Sequence, residues 1–239
     1  MKKLATLVIL SLTLTSCMNY IFNTALEQRG IFKDQIDLKS LSLEEKEIIF
    51  FPMHHVGTEK FYTDVHQKID SLKDNEYFFY VESIKDENSN LENQMKLRKI
   101  MGIGIPEGGY QKSFDSILKV KNYKLKKEIV YQPTYSEWQL DEKNSLNVDV
   151  DIKDLIQQYE LIYGEVKLEP CDYDKPDVTN STECTNKTDK KKWNYVLKDY
   201  RNQELVKHLQ QDSRKKIAII YGSAHYEGVK SIIDSLNHN

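Results

Sequence analysis

The sequence predicts an α/β domain in which helices flank a central, mostly parallel mixed sheet. Three observations point to it. Ile217-Ala-Ile-Ile-Tyr221 is an uninterrupted apolar run rich in β-branched residues, the pattern of a strand buried on both faces. Ile48-Ile-Phe-Phe51 and Tyr77-Phe-Phe-Tyr-Val81 are two further runs of the same kind. Between those two, Phe61, Val65, Ile69 and Leu72 follow helical spacing, giving a strand–helix–strand unit. A crossover of this length implies parallel strands. The bulk composition agrees: 239 residues, 30% charged and 39% hydrophobic, suit one water-soluble domain with a full core. The formal net charge is −3 and there is no broad basic patch, so nucleic acid is set aside as a partner. The 15 tyrosines suggest hydroxyls at a wet groove without specifying a ligand.

The N-terminus carries a targeting pattern. Lys2 and Lys3 precede a short apolar core, Leu4 to Leu14, too brief to span a bilayer. Leu14-Thr-Ser-Cys17 then resembles a bacterial lipobox. Residues 1–16 are thus expected to be a lipoprotein signal peptide, with Cys17 the acylated (palmitate-bearing) first residue of the mature chain. Several acyl chains make a stable tether. The expected location is the cell envelope, lipid-anchored on the periplasmic or cell-surface side. Loss of Lys2 and Lys3 would make the mature chain two units more negative. Residues 17–45 show no sustained period and read as a tether and entry helix, leaving 46–239 as the folded domain.

Within that domain, Ser89-Asn-Leu-Glu92 has capping-box spacing and predicts a helix over about 90–101. Gly102, Gly104, Pro106, Gly108 and Gly109 follow as a loop or lid. Residues 114–132 predict a helical run and a strand from Glu128 to Gln132. Asn147 to Asp151 leads into a helix with Asp151 as N-cap and Leu155, Ile156, Tyr159 and Ile162 as its stripe. Cys171 and Cys184 bracket a polar excursion; in an exported protein they are a natural disulfide pair, and a thiolate metal site lacks close partners. Trp193 to Gln211 read as one helix. Its Arg201 falls on or beside the buried face, either in a structural ion pair or aimed into a site. Gly222 ends the last strand in a turn expected to use positive φ. Val229, Ile232, Ile233 and Leu236 then form the stripe of a closing helix.

Three strand ends carry metal-capable residues: His54 or His55, Glu82, and His225. Two imidazoles and a carboxylate suit zinc, manganese, iron or cobalt and leave a position open for water. Gly222-Ser-Ala-His225 with Glu227-Gly228, preceded by Arg201-Asn202, is similar to the C-terminal signature of the TraB/PrgY/GumN family, related to the TIKI proteases. Pro52-Met-His-His55 would be its first Gly-x-x-His motif, with His55 in the histidine place and Pro52 replacing the glycine. Glu82 matches the family's glutamate. The resemblance implies a TIKI/erythromycin-esterase-like α/β fold and metal-dependent peptide cleavage. His55, His225 and Glu82 would hold a divalent ion, Glu82 would otherwise serve as general base, and Arg201 would orient Glu82 or bind a substrate carboxylate. The substrate would be a peptide or small molecule. Two other readings stand beside this one: a lipoprotein that binds a peptide or haem without cleaving it, and a domain that keeps the fold but not the chemistry. His54 would point away from His55, and His66, His208 and His238 read as surface residues.

Overall fold

The computed structural model describes residues 18–88, 90–102, 104, 118, 123–174, 177–179, 184 and 189–238. The signal segment, Cys17, Ser89 of the capping box and most of the glycine loop fall outside them, as does the helical run expected after residue 114. Among the described residues no helix is long and apolar enough to cross a membrane.

Among the described residues, five strands form the main sheet: β1 (Lys39–Leu43), β2 (Lys46–Met53), β4 (Phe78–Val81), β6 (Ser145–Asn147) and β7 (Lys216–Gly222), in the order β1-β2-β7-β4-β6. β2, β7, β4 and β6 are parallel, and only the edge strand β1 runs antiparallel. The two-residue strands β3 (Val56–Gly57) and β5 (Val130–Tyr131) pair separately. Helices comprise α1 (18–28), α2 (Glu59–Asp74), α3 (Leu91–Met101), α4 (Ile152–Tyr163), the short α5 (Pro170–Tyr173) and α6 (Lys190–Asn194), α7 (Arg201–Gln211) and α8 (Tyr226–Asn237).

The apolar runs are strands because both of their faces are covered. Phe51 and Met53 of β2, Phe79 and Val81 of β4, and Ala218 and Ile220 of β7 pack with Phe61, Val65 and Ile69 of α2. The alternate residues Ile48, Phe50, Tyr80, Ile217, Ile219 and Tyr221 pack on the other face with Leu205 and Leu209 of α7 and Val229 and Ile233 of α8. Period-two side chains with both sets buried leave no polar position in the strand. The expected cap at Asp151 forms, accepting from the N–H of Lys153, while α3 is capped one residue later than the capping box implied, by Asn90 accepting from the N–H of Asn93.

Two expectations are corrected. Residues 31–43 are not tether. Ile31, Phe32 and Ile36 are buried, and β1 inserts Leu41 and Leu43 into the core through a turn in which Glu44 takes φ 55°. With only two inward apolar positions and no glycine at the turn, that hairpin leaves little mark on the sequence. Gly222 does not use positive φ; its backbone is at φ −51°, ψ 136°. Trp193 to Gln211 is continuous helix, as expected, but Tyr195–Tyr200 is wound as a π-helix immediately before Arg201.

Candidate functional site

β7 lies between β2 and β4, and this placement builds the site. The register pairs Met53 with Gly222 and Val81 with Ile220, so three parallel strands end side by side. Ligands collect at this carboxyl edge in open α/β sheets. The N–H of Glu82 still donates to the carbonyl of Ile220, at 3.2 Å, which fixes Glu82 beside the end of β7.

Arg201 is the centre of a buried polar cluster. Its Nη2 reaches Glu82 Oε1 and Asp149 Oδ2, each at 2.6 Å, and Nε donates to Asp149 Oδ1 at 2.9 Å. Nη1 donates to the carbonyl of Leu197 at 3.0 Å, within the π-helical turn. Asp149 is fully buried, so its carboxylate depends on this bidentate pairing. His225 joins the cluster. Its Nδ1 lies 2.7 Å from Oδ1 of Asn202, and its Nε2 lies 3.3 Å from Arg201 Nη1 and 3.5 Å from Glu82 Oε1. An amide oxygen facing Nδ1 assigns the proton to that nitrogen.

Two glycines leave room for this arrangement. The Gly222 N–H donates to Glu82 Oε2. A Cβ on Gly222 would lie 3.2 Å from that same oxygen, so close approach explains this glycine. A Cβ on Gly228, in α8, would stand 2.1 Å from Asn202 Nδ2. Alanine at 228 should gain about 1 kcal/mol of helix propensity. It must also displace the buried Asn202 amide, and overpacking of this kind costs about 1–3 kcal/mol. We expect Gly228→Ala to lower the urea midpoint and to change the NMR resonances of the His225 ring. An increase in stability with the ring resonances unmoved would show that Asn202 is not held there.

The electrostatics follow from the contacts. Burial alone pushes the Glu82 carboxyl up. The hydrogen bond to His225, the charge of Arg201 and the Gly222 N–H together outweigh burial and hold Glu82 far below the usual carboxylate range. Burial likewise opposes the charge of Arg201, and Asp149 and Glu82 more than restore it. Two carboxylates thus share one guanidinium at the strand ends, with the His225 ring beside them.

Glu82 faces a cleft of ≈ 280 Å³ lined by Met53, His54, His55, Gln132, Pro133, Thr134, Tyr135, Ile220 and Gly222. The Tyr135 hydroxyl donates to the Glu82 carbonyl at 2.8 Å. His54 is half-buried with Nδ1 3.4 Å from Ser223 Oγ. Burial, then the positive charge of Lys33, lowers its pKa, so it is neutral at pH 7. His55 is exposed, and its carbonyl accepts from the N–H of Gln132 at 3.0 Å.

The expected trio is therefore only partly assembled. Glu82 contacts His225 and shares a cleft with His55, but His225 is buried and does not line that cleft. The ligand atoms of His55, Glu82 and His225 do not all come within 4.8 Å of one another. His225 fits a metal poorly, since Asn202 engages one nitrogen and a permanent cation, Arg201, faces the other. Glu82, His54 and His55 line one cleft, and the Glu82 oxygens already meet Arg201 and the Gly222 N–H. Among the described residues, the one set of three ligand atoms within 4.8 Å is Glu169, Cys171 and Cys184. Those cysteines form the expected disulfide, so they offer no thiolate. Lys99 Nζ, 3.1 Å from Glu169 Oε2, also opposes a cation there.

Nothing in the sequence singles out Asp149 or Tyr135. Asp149 sits in an alternating Asn-Val-Asp-Val-Asp stretch that marks it only as a strand-edge polar residue. No known protein family, curated protein or solved structure matches the chain.

Proposed function

We propose that this chain is an exported, lipid-anchored hydrolase of the TraB/PrgY/GumN kind, acting on a peptide or small molecule in the cleft above Glu82. A TIKI-like fold is part of the same proposal. The observation that carries it is a carboxylate fixed by Arg201 and the Gly222 N–H, opening on a cleft with two histidines. Support for the family comes from Glu82, Arg201, Asn202, Gly222 and His225, which match its signature and lie in one contact network.

Glu82 and His55 would hold a divalent cation, with His54 beside them. When bound, such an ion supplies Lewis acidity and makes water a better nucleophile near neutral pH. The chain's own residues do the rest. Arg201 and the Gly222 N–H lock the Glu82 carboxylate, and Asn202 sets the ring of His225 behind it. A carboxyl held this far down is a poor proton acceptor, so Glu82 serves as anchor and not as general base. His54, kept in its neutral form, is the basic group available in the cleft.

Metal content after loading with zinc, manganese, cobalt or iron tests this directly. His55→Ala and Glu82→Gln should lose the ion, and His225→Ala should keep a substantial part of it. Unchanged occupancy in the first two, with folding intact, would overturn the assignment. Cleavage of a mixed peptide pool, followed by mass spectrometry, should stop on addition of a chelator. The Glu82 carboxylate lining the cleft also favours a second reading, in which the cleft holds the ammonium of a peptide without cutting it. Peptide retention with no product would select that reading. A cleft of this size suits a side chain and its peptide link better than a haem macrocycle.

A further inference from the structure

We propose that the outward face of α1 lies in the surface of the lipid bilayer, so that the domain is seated on the membrane rather than hung from it. This rests on the lipid-anchor reading of Cys17. Helix α1 cannot swing freely, because its inner face is fastened to residues 123–126. Asn19 Oδ1 accepts from the N–H of Lys124 at 2.9 Å, and Asn23 Nδ2 donates to the Lys124 carbonyl at 2.8 Å. Asn23 Oδ1 accepts from the N–H of Lys126 at 2.6 Å. Phe22 stacks on Tyr123 with ring centroids 4.2 Å apart, and Leu26 is buried.

That fastening settles which face points outward, and the outward face is the wrong one for water. Met18, Ile21 and Ala25 fall on one stripe at helical spacing, with Tyr20 beside it. Met18 is 50%, Tyr20 73% and Ile21 55% exposed. A surface helix in water normally turns its polar side out. Here Asn19 and Asn23 face inward with Phe22 and Leu26, while Met18, Tyr20, Ile21 and Ala25 face out over the first two turns, before the exposed Glu27 and Gln28. The occupant of this face follows from the chain itself: Met18 is bonded to Cys17, so no spacer separates the helix from the acylated residue. Apolar side chains with a tyrosine, held at a bilayer surface, bury themselves at the headgroup boundary. Lys124, exposed on the segment that α1 clamps, adds attraction to anionic lipid. The segment clamped by α1 continues through β5 into Gln132–Tyr135, one wall of the cleft, so seating the helix also places that wall.

The test uses the full lipoprotein with Tyr20→Trp, reconstituted in vesicles of phosphatidylethanolamine and phosphatidylglycerol. Relative to the parent protein, the added indole should emit blue-shifted light that brominated acyl chains quench. Adding Ile21→Glu and Ala25→Glu should abolish both effects without lowering the melting temperature. Emission from the added indole that is water-like and fully quenched by iodide would overturn the proposal. So would concentration-dependent dimerisation in detergent that the two glutamates abolish, since a second copy would then own the face. Radiolabelled palmitate incorporation that fails in Cys17→Ala reports the anchor separately. Loss of the label from the parent protein would remove the anchor reading itself, whereas label present with the indole in water would remove only the seating.

Discussion

Arg201→Met is expected to destabilise the protein by about 3–5 kcal/mol, because it leaves the buried Asp149 carboxylate and the part-buried Glu82 carboxylate without their shared cation. Asp149 is fully buried, and Glu82 retains only the Gly222 N–H and the neighbouring ring of His225. Methionine fills a similar volume, so the loss reads as electrostatics and not as a cavity. Urea denaturation at pH 7 gives the magnitude. The pH dependence gives the sign. Glu82 is held below its ordinary value in the folded protein, so its contribution is present above about pH 4.5 and is lost as the pH falls. Without Arg201 the carboxyl titrates higher, and protonation relieves the unpaired charge. The gap between variant and parent should therefore narrow below pH 4.5. A gap of less than about 1 kcal/mol at pH 7 would mean that water enters the cluster and replaces the guanidinium.

Removing the Cys171–Cys184 bridge is expected to cost about 3 kcal/mol in the chain-entropy treatment of so short a loop. The two residues are 13 apart in sequence, with Cα atoms 6.1 Å apart. The bridge also pins a strongly bonded segment. Buried Asp172 receives Lys99 Nζ at 2.7 Å, and its carbonyl accepts from Arg98 Nη2 at 2.6 Å. Both cations come from α3, so the bridge secures the excursion to the layer formed by α3 and α4. The double variant Cys171→Ala/Cys184→Ala should show a lower urea midpoint, and reduction of the parent protein should match it. Metal occupancy at Glu82 should not change, since the bridge and the strand-end cleft share no residue. Equal stability of oxidised and reduced protein would argue that the excursion is already held by Arg98 and Lys99.

The Asp151 cap, the buried strands and the stripe of the last helix are all legible because each depends on residues near one another in the chain. The apolar runs at 48–51, 77–81 and 217–221 carry no polar position, which only strands covered on both sides require. Edge strand β1 escapes the sequence for the converse reason. Half of its residues face solvent, and only Leu41 and Leu43 carry the pattern. Gly222 stands out in the sequence for a property it does not use: the residue is needed because a carboxylate from another strand touches it, not because its φ is positive.

By itself the sequence determined the fold class, the buried strands and the residue types at their ends, since hydrophobic periodicity and capping are local and repeat along the chain. Only the tertiary structure decided how those ends divide. Inserting β7 between β2 and β4 set Glu82 against Arg201 and the buried His225, and left Glu82 to line the open cleft with His54 and His55. That division follows from strand order and register, which join residues more than a hundred positions apart and leave no periodic trace in the sequence.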